Sequence, residues 1–183
     1  MLNHDLRSPI NAILGFAELL TERDNPAETV NRYASIIAKG GENMTEMLDQ
    51  AVLLMRTTMG SVVWQPEDAP LSHALHGLNV EGDPQGRVHW DMEMMRRALE
   101  ALVHRTEMEN SDRVLIMTSP SHVHITIGQP GEGERPLDGD LHHIPIQMAR
   151  QIIEHHGGNI RTDDLGSWFQ VLVPKQPTWT QEN

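Results

Sequence analysis

The chain has 183 residues, no cysteine and a formal net charge of −12, which leaves room for one or two small domains with real cores and excludes disulfides and thiolate metal sites. Its 14 Lys and Arg face 26 Asp and Glu, so no basic cluster exists to displace counterions, which argues against nucleic acid or an anionic membrane surface as partner. No apolar run reaches the roughly 18 residues of a membrane span and no signal-peptide pattern is present, so the expectation is a soluble, cytoplasmic chain.

A first helix is expected over residues 2–22, ended by Asp24-Asn25-Pro26, because the residue before proline is pushed out of helical geometry. At 100° per residue, Leu6, Ile10, Ile13, Ala17 and Leu20 form one apolar stripe, and His4 projects roughly 160° away from it, toward solvent. Ser8, Asn11, Gly15, Glu18 and Glu22 fall within about 50° of His4 and make a polar, small-residue strip below the imidazole that suits docking of another protein. Pro9 removes the N–H that would bond the Asp5 carbonyl, which predicts a bend just after the histidine. Ala12, Phe16 and Leu19 add a second apolar arc that a single partner helix cannot cover. His4 lies so near the start of the chain that either more helix precedes it or dimer packing holds a short first turn.

A second, long helix is expected from Pro26-Ala27-Glu28 to about residue 59, with Val30, Tyr33, Ala34, Ile37, Met44, Met47, Leu48, Ala51, Met55 and Met59 spaced at threes and fours. The methionines read as core fillers. Gly40-Gly41 interrupts the helix at about 1 kcal/mol per glycine relative to alanine, predicting local flexing or a close helix approach. Two helices with surplus apolar surface make half a bundle, and a two-fold homodimer giving four helices is the economical closure.

Gly60 sets the expected domain boundary near residue 60. Beyond it the pattern predicts a short strand over 61–64, a loop over 66–71, a short helix over 71–78, a turn at Gly82-Asp83-Pro84-Gln85-Gly86 and a strand over 87–90. Asp91 is a good N-cap for a helix carrying Met95, Ala98, Leu99, Leu102 and Val103 on one face. Residues 113–118 and 122–127 alternate as a hairpin around Ser119-Pro120-Ser121, a helix over 144–156 closes at Gly157-Gly158, strands follow near 159–163 and 168–173, and 175–183 reads as a flexible tail. The fold class is therefore α+β, a helical hairpin followed by a small α/β sandwich with helices on one face of a mixed sheet. The expected domains are 1–60, 61–174 and the tail.

The run His-Asp-Leu-Arg-Ser-Pro-Ile-Asn-Ala-Ile-Leu-Gly-Phe, from His4 to Phe16, resembles the phosphoacceptor box of two-component sensor histidine kinases, and residues 33–56 are similar to the second helix of their dimerisation domain. Ala149-Arg150-Gln151-Ile152-Ile153-Glu154 with His156-Gly157-Gly158, and residues 166–174, are similar to the end of the ATP-binding domain of the same family. The resemblance implies that His4 carries a phosphoryl group, that Asp5 orients or deprotonates its imidazole, that Ser8 stands where the family positions water for dephosphorylation, and that Asn11, Gly15 and Glu18 meet a response-regulator receiver. Arg7 is placed to offset phosphate charge.

The nucleotide boxes of the resembled family are degenerate. Where it carries two asparagines four residues apart, the second chelating magnesium, this chain has Ala101 and Arg105; alanine cannot ligate, and arginine repels a divalent cation. Its Asp-x-Gly-x-Gly turn becomes Gln129-Pro130-Gly131-Glu132-Gly133, keeping Gly131 and Gly133 but losing the carboxylate that reads adenine. Residues 134–141 leave no room for a lid, and the phosphate-binding glycines become His143 and Pro145. No cofactor is therefore expected on this chain: ATP is not expected to serve as donor, and magnesium is expected on the partner receiver. The pairs His142-His143 and His155-His156 diverge by about 100° on a helix, while His122 and His124 share one strand face and suit weak chelation only, so no metal site is expected. The leading expectation is a histidine phosphotransferase, a histidine-kinase-like or pseudokinase variant without its own donor. The alternatives are an active ATP-dependent kinase with a divergent pocket and a non-catalytic dimeric scaffold.

Overall fold

A computed structural model describes residues 2–21, 25–82, 84–107, 113–129, 135–136, 143–163 and 167–178. Contacts divide the chain into two units, residues 1–53 and 54–183, with the division falling inside the second helix. Among the described residues no helix is long and apolar enough to cross a membrane.

The first unit is a helical hairpin of α1 (Leu2–Leu20) and α2 (Ala27–Thr58). The Asn25 side-chain amide donates to the Leu19 carbonyl at 2.8 Å, satisfying one of the acceptors that a helix end leaves open. Pro9 is accommodated inside α1. Phe16 and Tyr33 meet at 5.3 Å between ring centroids, and the Arg32 guanidinium lies 5.4 Å from the Tyr33 ring. Leu6, Ile10, Ile13, Ala17 and Leu20 are half-buried, as are Tyr33, Ile37, Met44, Met47 and Ala51 on α2. Leu14 on α1 and Leu48, Val52, Met55 and Met59 on α2 remain exposed, so the hairpin leaves apolar surface uncovered on both helices.

The glycine pair does not interrupt α2. Gly40 is buried, and a Cβ there would stand 2.8 Å from Ile13 Cγ1 and 3.6 Å from the Pro9 carbonyl, whereas one at Gly41 would meet nothing within 4 Å. The two glycines therefore differ in kind. Gly41→Ala is expected to gain about 0.5–1 kcal/mol of helix stability. At Gly40 the same gain is offset by an overpacking cost of about 1–3 kcal/mol. Thermal melts followed at the helical circular-dichroism band should show a higher midpoint for Gly41→Ala and none for Gly40→Ala; equal rises would mean that the helices do not touch at Ile13.

The second unit is an α/β sandwich. Its large sheet runs in the order β2 (Val80–Gly82), β4 (Val114–Thr118), β5 (His122–Ile127), β8 (Phe169–Pro174), β7 (Asn159–Thr162) and β6 (Arg135–Pro136), with only β2 and β4 parallel. Side chains alternate: Val123, Ile125 and Ile127 of β5 and Phe169, Val171 and Val173 of β8 point into the core, while His122 and His124 share the opposite face. Helices α4 (Met92–Glu107) and α5 (Ile144–His155) pack against each other, burying Met95, Leu99 and Leu102 with Ile146, Ile152 and Ile153.

Several elements differ from the sequence expectations. Residues 61–66 form no strand; the strand is β1 (Glu67–Pro70), where a loop was expected, and it pairs antiparallel with β3 (Arg87–Trp90) in a separate two-stranded sheet. Pro70 suggests a loop, but it sits at the end of an edge strand, where a missing N–H is tolerated. The short helix shrinks to α3 (Leu71–Ala74), and β2 and β6 were not anticipated. The start of the expected tail is built into the fold: Lys175 donates its N–H to the Ser121 carbonyl at 2.8 Å, its carbonyl accepts from the His89 N–H at 2.7 Å, and Pro177 is buried.

Candidate functional site

The His4 box lies on α1, with a helical backbone at His4 and Asp5. The side chains of these two residues lie outside the described residues. From Arg7 downward the geometry is defined: Arg7, Ser8, Asn11, Gly15 and Glu18 are all exposed, and the apolar stripe turns the other way. Periodicity alone thus identified the solvated strip as far as Glu18; Glu22 lies outside the described residues. A Cβ at Gly15 would meet nothing within 4 Å, so the strip is open at its middle. Leu14, 57% exposed, places an apolar side chain at its margin.

In the second unit, Ala101 and Arg105 lie one turn apart on α4. Ala101 is buried among Ala98, Leu102 and the rest of the core, and Arg105 is half-buried. Gln129 is exposed just after β5, following Gly128. Gly128 has φ +81°, and a Cβ there would stand 2.9 Å from the Ser167 carbonyl, so a glycine is required for close approach rather than for phosphate. Gly131, Gly133 and His142, and most of the segment read as too short for a lid, lie outside the described residues. Helix α5 starts after His143, which contributes no side-chain cap, and Pro145 occupies its first turn. Proline supplies no N–H there, so this helix end has fewer donors than a glycine-rich phosphate cradle.

The His Kinase A phospho-acceptor domain family matches residues 1–60. Residues 1–60 therefore carry a phospho-acceptor hairpin, and with the α/β domain that follows the chain has the fold of a histidine-kinase core. The sensor protein VanSC of Enterococcus gallinarum is 26% identical over 102 residues, covering 54% of this chain but 28% of that protein, so the chain spans little more than a quarter of that relative's length. The histidine kinase AdeS of Acinetobacter baumannii superposes with a TM-score of 0.69 at 15% identity, over 94% of this chain and 98% of that one. The histidine kinase ThkA, solved in complex with the response regulator protein TrrA, gives 0.62 at 18% identity over 96% of this chain and 60% of that one. At these identities the two structures establish the fold.

Within this core, α4 and α5 are tied together by residues that sequence reasoning did not join. The Asp91 carboxylate caps α4 through the Met94 N–H at 3.1 Å and also accepts the Gln65 N–H at 2.8 Å. The Asp91 N–H donates to His156 Nε2 at 3.0 Å, and His156 Nδ1 lies 2.8 Å from the Ile152 carbonyl. A carbonyl only accepts and an N–H only donates, so these two bonds fix a neutral imidazole with its proton on Nδ1. Burial pushes the His156 pKa down to about 4, against smaller upward pulls from the Ile152 carbonyl and Asp91. His156 is therefore a structural link and not a ligand. On the exposed side of α4, hydrogen bonds from Arg96 and Arg97 hold the Glu93 carboxyl below its usual range. Among the described residues no three His, Cys, Asp or Glu side chains converge as a metal site would require.

Proposed function

We propose that this histidine-kinase core works as a phosphotransferase in two-component signalling, exchanging a phosphoryl group between His4 and a receiver aspartate without ATP. The observation that carries the reading is the composition of α4 and α5. The resemblance puts Ala101 and Arg105 of α4 where the family carries two asparagines, the second chelating magnesium, and puts Pro145, in the first turn of α5, where it carries a phosphate-binding glycine.

In the transfer, the unprotonated imidazole nitrogen of His4 attacks the phosphorus of a receiver aspartyl phosphate. The N–P bond forms as the P–O bond to the aspartate breaks, returning the receiver carboxylate. The proton left on the other ring nitrogen, now acidic, is held or taken by Asp5. The acyl phosphate supplies the driving force, and the receiver brings its own magnesium. The protein contributes an in-line nucleophile on a helix, the Arg7 charge beside it and a docking strip of Asn11, Gly15 and Glu18. Ser8, exposed on the same strip, serves water-mediated dephosphorylation as a second output. The apolar surface left at Leu48, Val52 and Met55 fits a two-fold homodimer that completes a four-helix bundle; sedimentation showing only monomer would remove that part.

The test is donor choice. Incubated with labelled phospho-receiver and no nucleotide, the protein should acquire label; incubated with labelled ATP alone, it should not. Autophosphorylation from ATP would instead establish an active kinase, and no label from any receiver would leave a scaffold.

A further inference from the structure

The connector that follows α2, residues 59–66, has no helix or strand, yet two of its residues are held firmly to the second unit. The Trp64 indole lies flat on the His155 imidazole, with centroids 3.9 Å apart and planes 12° apart. The same indole meets His156 edge-on at 5.7 Å. The neighbouring Gln65 N–H is the one bonded to the Asp91 carboxylate. His156 joins the two anchor points, because it accepts the Asp91 N–H and follows His155 at the end of α5. The attachment therefore draws on the start of α4 and the end of α5 together. A shift of either helix against the other pulls one anchor from under the connector.

We propose that Trp64 and Gln65 form a releasable latch that sets the free length of chain between the phospho-acceptor hairpin and the ATPase-like domain. The N–H groups of Met59, Gly60 and Ser61 still bond the Met55, Thr57 and Arg56 carbonyls at the end of α2, so with the latch closed the free chain is residues 62–63, which spans at most about 7 Å. With it open, the next fixed residue is Glu67, paired with Trp90 in the β1–β3 sheet, and residues 62–66 span about 17 Å. Gly60, at φ +65°, closes α2 in a conformation that other residues adopt with strain, and so sets where the free part begins. The ring contacts of Trp64 and the Gln65 hydrogen bond are on the scale of local opening, well short of unfolding the domain. The latch converts a small displacement between α4 and α5 into about 10 Å of added reach. None of this depends on which donor phosphorylates His4.

Hydrogen exchange tests the contacts. In the wild-type chain the peptide covering residues 62–66 should exchange at least tenfold more slowly than an unstructured segment. Trp64→Ala and His155→Ala should each abolish that protection while β5 and β8 keep theirs, and Trp64→Phe should retain most of it. The chain has no cysteine, so spin labels at Glu46→Cys and Met117→Cys, diluted with unlabelled chain, read the tether. Trp64→Ala should extend the distance distribution toward longer separations by up to about 10 Å. Unprotected exchange in the wild type, or alanine variants with unchanged exchange, overturns the latch; released exchange with an unchanged distance distribution overturns its control of length.

Discussion

His4→Ala is expected to reduce phosphoryl acquisition from a phospho-receiver to background while leaving the fold intact. The change removes the only group on α1 that the proposed transfer uses as nucleophile, and no neighbouring side chain replaces an imidazole nitrogen, so the loss is complete rather than partial. Stability should be unaffected, since the residue stands in the first turn of α1 and helical periodicity sets it opposite the stripe of Leu6, Ile10 and Ile13. Asp5→Asn separates roles. If the carboxylate handles the imidazole proton, the variant keeps the acceptor but slows transfer by on the order of 10²-fold, and raising the pH should recover part of that loss. Ser8→Ala should accept phosphate at the wild-type rate and change only the rate at which label is lost to water. Rapid-quench transfer assays with the three variants distinguish these outcomes. Label retained by His4→Ala would place the acceptor elsewhere and remove the basis of the proposed function.

The helical hairpin was legible because its signals are local. The 3.6-residue spacing that put Leu6, Ile10 and Ile13 on one side and Ser8, Asn11 and Gly15 on the other matches the exposure of the same residues in the structure. Gly40 was recognisable as unusual, but its partner Ile13 lies on another helix and no spacing rule identifies it. Strands with clear alternation, such as His122–Ile127, were readable for the same local reason. Glu67–Pro70 and Val80–Gly82 were missed, because each is short and owes its pairing to a strand distant in sequence. The connector was misread in a related way. Val62-Val63-Trp64 has the composition of a strand, but its anchors are side chains at Asp91 and His155, so its conformation is set by tertiary contacts. Asp91 was identified as a cap from its position before an apolar helix. Its second role, holding Gln65, and its link to His156 required the fold. His155 and His156, which as adjacent helix residues diverge too far for a metal pair, have opposite environments, one exposed beneath an indole and the other buried.

The buried member of that pair makes the second unit acid-sensitive. His156 has a folded pKa of about 4 against an ordinary value of 6.5. Between those values the unfolded chain binds a proton that the folded chain does not, so its stabilising effect is fully present above about pH 6.5 and is lost progressively as pH falls toward 4. The full shift corresponds to roughly 3 kcal/mol, a large part of the 5–15 kcal/mol typical of a domain. Protonation puts a hydrogen on Nε2, where the Asp91 N–H already donates, so two donors face each other in a buried site. All four tryptophans lie in the second unit, and denaturant unfolding followed by their fluorescence reports on that unit selectively. The wild-type midpoint should fall steadily from pH 6.5 to 4.5. His156→Gln keeps one donor and one acceptor but does not titrate; it should be less stable than wild type at pH 7.5 by about 1–3 kcal/mol and show a shallower slope through the acid window. Carboxylates such as Glu93 also lose favourable partners on acidification, but on an exposed helix face their contribution is small and common to both proteins. The difference between the two pH profiles therefore isolates His156, and parallel profiles would mean that its imidazole is not held neutral in the folded state.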